Sequence, residues 1–136
     1  MRCMLDTNIC IYLIKRAPMH VLARLEKMRV SDVAVSAITV SELEYGVEKS
    51  AFPMRNRIAL AQFLTPLEVL PYTAAAAYQY GRLRSALEAQ GQVIGALDML
   101  IAAHALSLNY VLVTNNEDEF RRIAGLHIEN WTKQSG

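Results

Sequence analysis

At 136 residues, the chain has the length of one ordinary domain and can bury a substantial core. With 53% of its residues apolar and a formal charge of +1, it is neither a disordered chain nor a strongly basic, nonspecific nucleic-acid binder. No apolar run reaches the length of a membrane span, and Asp6 and Asn8 interrupt the first apolar segment, so neither a membrane anchor nor a secretory leader is expected and the protein is expected in the cytoplasm.

Residues 2–6 read as a short buried strand. Apolar positions at Ile9, Ile11, Tyr12 and Ile14 follow in a helical rhythm that Pro18 breaks, and a second helical period runs from His20 to Arg29. Val33 to Ser36 is a second strand, after which Thr39 is expected to open a helix ending near Ser50. Pro53 starts the next helix and Pro66 closes it; Leu67 to Pro71 is a third strand. Thr73 caps an alanine-rich helix over Ala74–Ala89, with Gly91 just past its end. Leu97–Leu108 is a further apolar helix, and Tyr110–Thr114 carries the strongest strand signal. Glu117–Ile123 is a short helix, and His127–Asn130 reads as an edge strand. Strands alternating with helices predict an α/β fold, a mostly parallel sheet covered on both faces, over residues 1–136 as one domain. Ligands of such sheets bind outside the carboxyl ends of the strands, where Asp6 and Thr114-Asn115-Asn116 both fall.

Cys3 and Cys10 form no CxxC pair and read as buried thiols; the three histidines lack zinc-ligand spacing, and His104, inside an apolar helix, reads as a packed, hydrogen-bonded imidazole. Three acidic residues stand out: Asp6 after the first strand, Glu42 and Asp98 early in two helices. Converging carboxylates suit a hard divalent cation, which activates water against a phosphodiester. Each also has a local explanation. Asp6 can cap the helix that follows, Glu42 completes a Thr39-Val-Ser-Glu42 capping box, Asp98 favours the first turn of its helix, and Thr114-Asn-Asn-Glu117 fits a second capping box. Lys15, Arg16, Arg55, Arg57, Arg82 and Arg84 are candidates for a basic rim, or simply a solvated surface.

Read together, four segments resemble the PIN-domain ribonucleases, and among them the VapC toxins of bacterial toxin–antitoxin pairs. They are Met4-Leu-Asp-Thr-Asn8, Ser36-Ala-Ile-Thr-Val-Ser-Glu-Leu-Glu-Tyr-Gly46, Gly95-Ala-Leu-Asp-Met-Leu-Ile-Ala-Ala-His104, and Val113-Thr-Asn-Asn116 followed by Glu119-Phe120. The resemblance covers nearly the whole chain and implies a PIN-like three-layer α/β/α fold. It implies that Asp6 and Asp98 bind Mg²⁺ or Mn²⁺, that Glu42 assists, and that Asn116 stands where many relatives carry a fourth acid. Asn8 and Thr114 match supporting polar residues, and Glu119 is an alternative source of the missing charge. The implied activity is endoribonucleolytic cleavage of RNA, initiator transfer RNA in its anticodon loop. The implied partner is a VapB-type antitoxin that holds the toxin inactive, with a toxin homodimer inside a larger toxin–antitoxin complex. The apolar-rich helices at Met19–Met28 and Pro53–Leu64 are candidates for those interfaces or for plain core packing.

Three competing readings fit less well. A phosphoacceptor receiver domain needs paired acids near the start and a lysine in a late loop, but Asp6 has no acidic neighbour and no lysine lies between Lys49 and Lys133. A dehalogenase-type phosphatase needs Asp-x-Asp, where this chain has Asp6-Thr-Asn8. The amide at Asn116 leaves room for a PIN-like domain that binds without cutting.

Overall fold

The computed structural model describes residues 2–133, so the expected domain limits at 1 and 136 lie outside the described residues. In chain order the elements are β1 (Cys3–Leu5), α1 (Thr7–Lys15), α2 (Met19–Glu26), a 3₁₀ turn (Val30–Asp32), β2 (Val33–Ser36), α3 (Ala37–Glu48), α4 (Pro53–Leu64), β3 (Glu68–Leu70), α5 (Ala74–Ala89), α6 (Ala96–Leu108), β4 (Val111–Val113), α7 (Glu117–Phe120) and β5 (Ile128–Glu129). The five strands form one sheet in the order β3-β2-β1-β4-β5, and every pairing is parallel.

Successive strand residues point to opposite faces, and the two cores follow that alternation. Cys3, Leu5, Val33, Val35 and Val113 pack with Ile9, Leu13, Val21, Leu43, Leu60 and Trp131 on the face covered by α1 to α4. Met4 and Leu112, the intervening positions, pack with Leu83, Leu87, Met99, Ile101 and Phe120 on the face covered by α5 to α7. The result is the expected α/β/α sandwich. The three interior strands, β2, β1 and β4, are buried along their length apart from Val111, which explains why they read as apolar runs.

Helix ends follow local chemistry. The Thr73 hydroxyl caps α5, Pro53 opens α4, and Gly91 takes the left-handed conformation after α5 with φ 65°. The helix starting at Thr39 is a correction: α3 begins at Ala37, and its N-cap is Ser36, whose hydroxyl accepts from the Ile38 amide. Glu42 therefore lies past the first turn and closes no capping box. Nor does the Thr114–Glu117 box form, since Asn116 precedes α7 without a side-chain cap. Among the described residues, no helix is long and apolar enough to cross a membrane.

Candidate active site

Strand order reverses direction at β1, which has β2 on one side and β4 on the other. The crevice of an open parallel sheet lies at such a switch point, outside the carboxyl ends of the strands. Asp6 follows β1 there, and Thr114 follows β4. The two segments are joined in register: the Asp6 amide donates to the Val113 carbonyl at 3.0 Å.

Asp6 is 6% exposed. It caps α1, its Oδ1 accepting from the Ile9 amide at 2.9 Å. Burial pushes its carboxyl up to about 6; hydrogen bonds from Thr114 and the Ile9 amide pull the other way, and the charges of Asp98 and Glu42 push it up further. Asp98, half-buried in the first turn of α6, is raised by burial first, then by the charges of Glu42 and Glu119. Glu42 reaches the same crevice from α3, its Oε1 accepting from the Thr7 hydroxyl at 2.6 Å. Thus four elements, the β1 end, α3, α6 and α7, bring carboxylates within electrostatic reach of one another.

Thr114 is fully buried, bonds Asp6, and accepts from the Asn116 amide at 3.0 Å through its hydroxyl. Asn8 is exposed on the first turn of α1, and among the described residues its side chain makes no hydrogen bond; its neighbour Thr7 holds Glu42 instead. Residue spacing could not reveal that bond, because it joins two helices distant in sequence. Asn116 is half-buried before α7, while Asp98 feels the charges of Glu42 and Glu119. The amide of Asn116 adds no charge, and Glu119 brings a further carboxylate within electrostatic reach of Asp98.

No ion pair among the described residues involves Asp6, Glu42, Asp98 or Glu119. Their donor atoms are all oxygen, and their negative charge is uncompensated by protein cations. Both features suit a hard divalent ion. Among the described residues, no three carboxylates, imidazoles or thiols close to direct ligand spacing. Of the candidate rim cations, Arg57 is committed to Glu44 and Glu48, and Arg84 to Glu88. Lys15, Arg16, Arg55 and Arg82 form no ion pair among the described residues. A groove of about 360 Å³ runs from Glu42 between α1, α3 and α4, lined by Ile11, Ile14, Leu43, Val47 and Leu60, with Lys15 at its side.

A family model described as "PIN domain" matches residues 3–126. The chain is 45% identical over 131 residues to "Ribonuclease VapC2" of Rickettsia felis, covering 96% of this chain and 98% of that one. It is 43% identical over 129 residues to "tRNA(fMet)-specific endonuclease VapC" of Shigella flexneri, covering 95% and 97% of the two chains. Among solved structures, DNA-bound VapBC from Salmonella typhimurium superposes with a TM-score of 0.91 at 44% identity, covering 96% of this chain and 98% of that one. VapBC2 from Rickettsia felis, bound to a promoter DNA fragment, gives 0.89 at 43% identity, covering 96% and 99%.

Proposed function

Since the chain belongs to the PIN-domain family, in its VapC ribonuclease branch, we propose that it is a toxin whose acidic crevice hydrolyses RNA with a divalent metal ion. The observation that carries the metal is the approach of Asp6, Glu42, Asp98 and Glu119 at the sheet's switch point, within reach of one another's charge and with no ion pair to a protein cation among the described residues. Asp6 and Asp98 would hold Mg²⁺, or Mn²⁺ in its place, with Glu42 alongside. When bound, the ion supplies charge neutralisation at the phosphate and a lowered pKa for its water.

The chain's own residues set the stage for that chemistry. Thr114 and the Ile9 amide fix the Asp6 carboxylate, so only part of it is free to face a ligand. Thr7 orients Glu42, leaving its second oxygen to accept a proton from water. Attack by water on phosphorus leaves a 5′-phosphate and a 3′-hydroxyl. The name of the Shigella relative specifies tRNA(fMet). The same substrate, cut in its anticodon loop, suits an open crevice, because loop RNA exposes its backbone and lets its bases splay out.

The partner is a VapB-type antitoxin, supported by the VapBC complexes that this chain resembles. An apolar segment of it would fill the groove beside Glu42, and an arginine from that segment would neutralise the acids. The exposed Met19 of α2 and the exposed Phe52, Met54 and Ile58 before and along α4 offer surface for a toxin homodimer within the larger complex. The site of action is the cytoplasm, where both transfer RNA and the antitoxin are made.

The test is cleavage of initiator transfer RNA by the purified chain. Mg²⁺ should support cutting, a chelator should stop it, and Asp98→Asn should reduce it by at least about a hundredfold while far-ultraviolet circular dichroism stays unchanged. Full activity in a folded Asp98→Asn protein would remove the proposed centre.

A further inference from the structure

His104 is 1% exposed and stands on α6, less than two turns beyond Asp98. Ser36 is fully buried at the end of β2, and α3 carries Glu42 less than two turns further on. The two side chains meet: His104 Nδ1 lies 2.7 Å from Ser36 Oγ. That same hydroxyl oxygen accepts from the Ile38 amide at 3.1 Å and so caps α3. Burial lowers the proton affinity of the imidazole, and the backbone of Pro71, just past β3, pulls the other way. Tyr72 stands edge-on to the ring, with centroids 5.5 Å apart.

Hydrogen-bond bookkeeping leaves one closed arrangement. Nδ1 lies on Ser36, so the proton that the Pro71 backbone favours on a neutral ring belongs to Nε2. Burial keeps the ring neutral by lowering its proton affinity, so Nδ1 is an acceptor. The Ser36 hydroxyl then donates to Nδ1 and keeps its lone pairs for Ile38. The start of α3 is thereby tied to the middle of α6.

We infer that His104 is a positioning residue, which acts through Ser36 to set the start of α3 against α6 and so holds Glu42 in its working place beside Asp98. The inference rests on the reading of the acidic crevice as a metal-dependent nuclease centre. Glu42 and Asp98 come from different helices yet feel each other's charge. A displacement of about 1 Å at a reacting group can cost a hundredfold in rate.

His104→Leu keeps much of the volume and removes the hydrogen bond to Ser36. His104→Asn offers its Oδ1 where Nδ1 stood. Ser36→Ala removes the shared hydroxyl. Melting temperature, Mn²⁺ affinity by electron paramagnetic resonance, and kcat and KM for initiator transfer RNA would be measured for each. His104→Leu and Ser36→Ala should lower kcat and weaken Mn²⁺ binding by about 10–100-fold, as loss of an outer support to a metal site does. KM should change little, Asn should recover most of the loss, and the double variant should be no worse than either single one.

An active wild type matched in kcat and Mn²⁺ affinity by folded His104→Leu overturns this inference alone. If His104→Leu does not fold, unchanged kcat and Mn²⁺ affinity in Ser36→Ala overturn it in the same way. A wild-type chain that binds no Mn²⁺ and cuts no RNA with any divalent ion overturns the nuclease reading and this inference with it.

Discussion

The Asp6 carboxylate caps α1 while lying buried beside Asp98 and Glu42. Its pKa is raised to about 6 from the usual 3.8, burial being the largest cause. In the unfolded chain it ionises near its usual value. Between pH 4 and pH 6, roughly, the folded state therefore binds more protons than the unfolded state, and stability falls as pH rises through that window. Above it the metal-free fold retains the full cost of a buried charge, on the order of 3 kcal/mol. An Asp6→Asn side chain can still accept from the Ile9 amide but carries no charge. In chelator at pH 8 this variant should melt higher than wild type by on the order of 5 °C, and the gap should close towards pH 4. A lower melting temperature at pH 8 would show that the cap, not the charge, dominates at this position. Such a gain in stability with loss of cutting is the trade expected where a site stores strain for function.

At the level of elements, Gly95 sits at the N-cap of α6 with φ −57°, a conformation open to any residue. A methyl group there would stand 3.5 Å from Asp98 Oδ2, an ordinary contact that covers a proposed ligand oxygen. Gly95→Ala should keep or slightly raise the melting temperature, since it reduces unfolded-chain freedom. Mn²⁺ affinity should fall by several fold, measured by titration calorimetry; unchanged affinity would mean that Oδ2 does not face the ion. Much of this framework was legible beforehand. The apolar runs at Val33–Ser36 and Tyr110–Thr114 located β2 and β4, and Thr73 located the start of α5. The start of α3 was not legible, because Val33-Ala-Val-Ser36 flows into Ala37-Ile38 without a change in polarity while Thr39-Val-Ser-Glu42 imitates a cap. Thr7 was missed, and Glu119 was named only as an alternative source of charge, for a different reason. Their partners, Glu42 and Asp98, meet them only through tertiary packing, and local periodicity carries no information on that.

For the whole molecule, the net charge of +1 conceals a local excess of negative charge at the sheet's switch point. A metal ion bound there couples to folding, because an unfolded chain does not hold these acids together. At a free Mg²⁺ concentration a hundred times its dissociation constant, the linked gain is about 2.7 kcal/mol. The gain requires the ionised form of Asp6, so protons compete with the metal as pH falls through about 6. The two linkages therefore have opposite signs. Without metal, the contribution of Asp6 makes the fold weaker as pH rises from about 4 to 6; saturating Mg²⁺ adds stability over the upper part of that range and above it. Melting curves at pH 5 and pH 8, with Mg²⁺ or chelator at constant ionic strength, separate the two effects. Mg²⁺ should raise the melting temperature by several degrees at pH 8 and by little at pH 5, and Asp98→Asn should abolish the difference. An equal Mg²⁺ shift at both pH values, or one that survives in Asp98→Asn, would place the stabilising ion elsewhere on the surface.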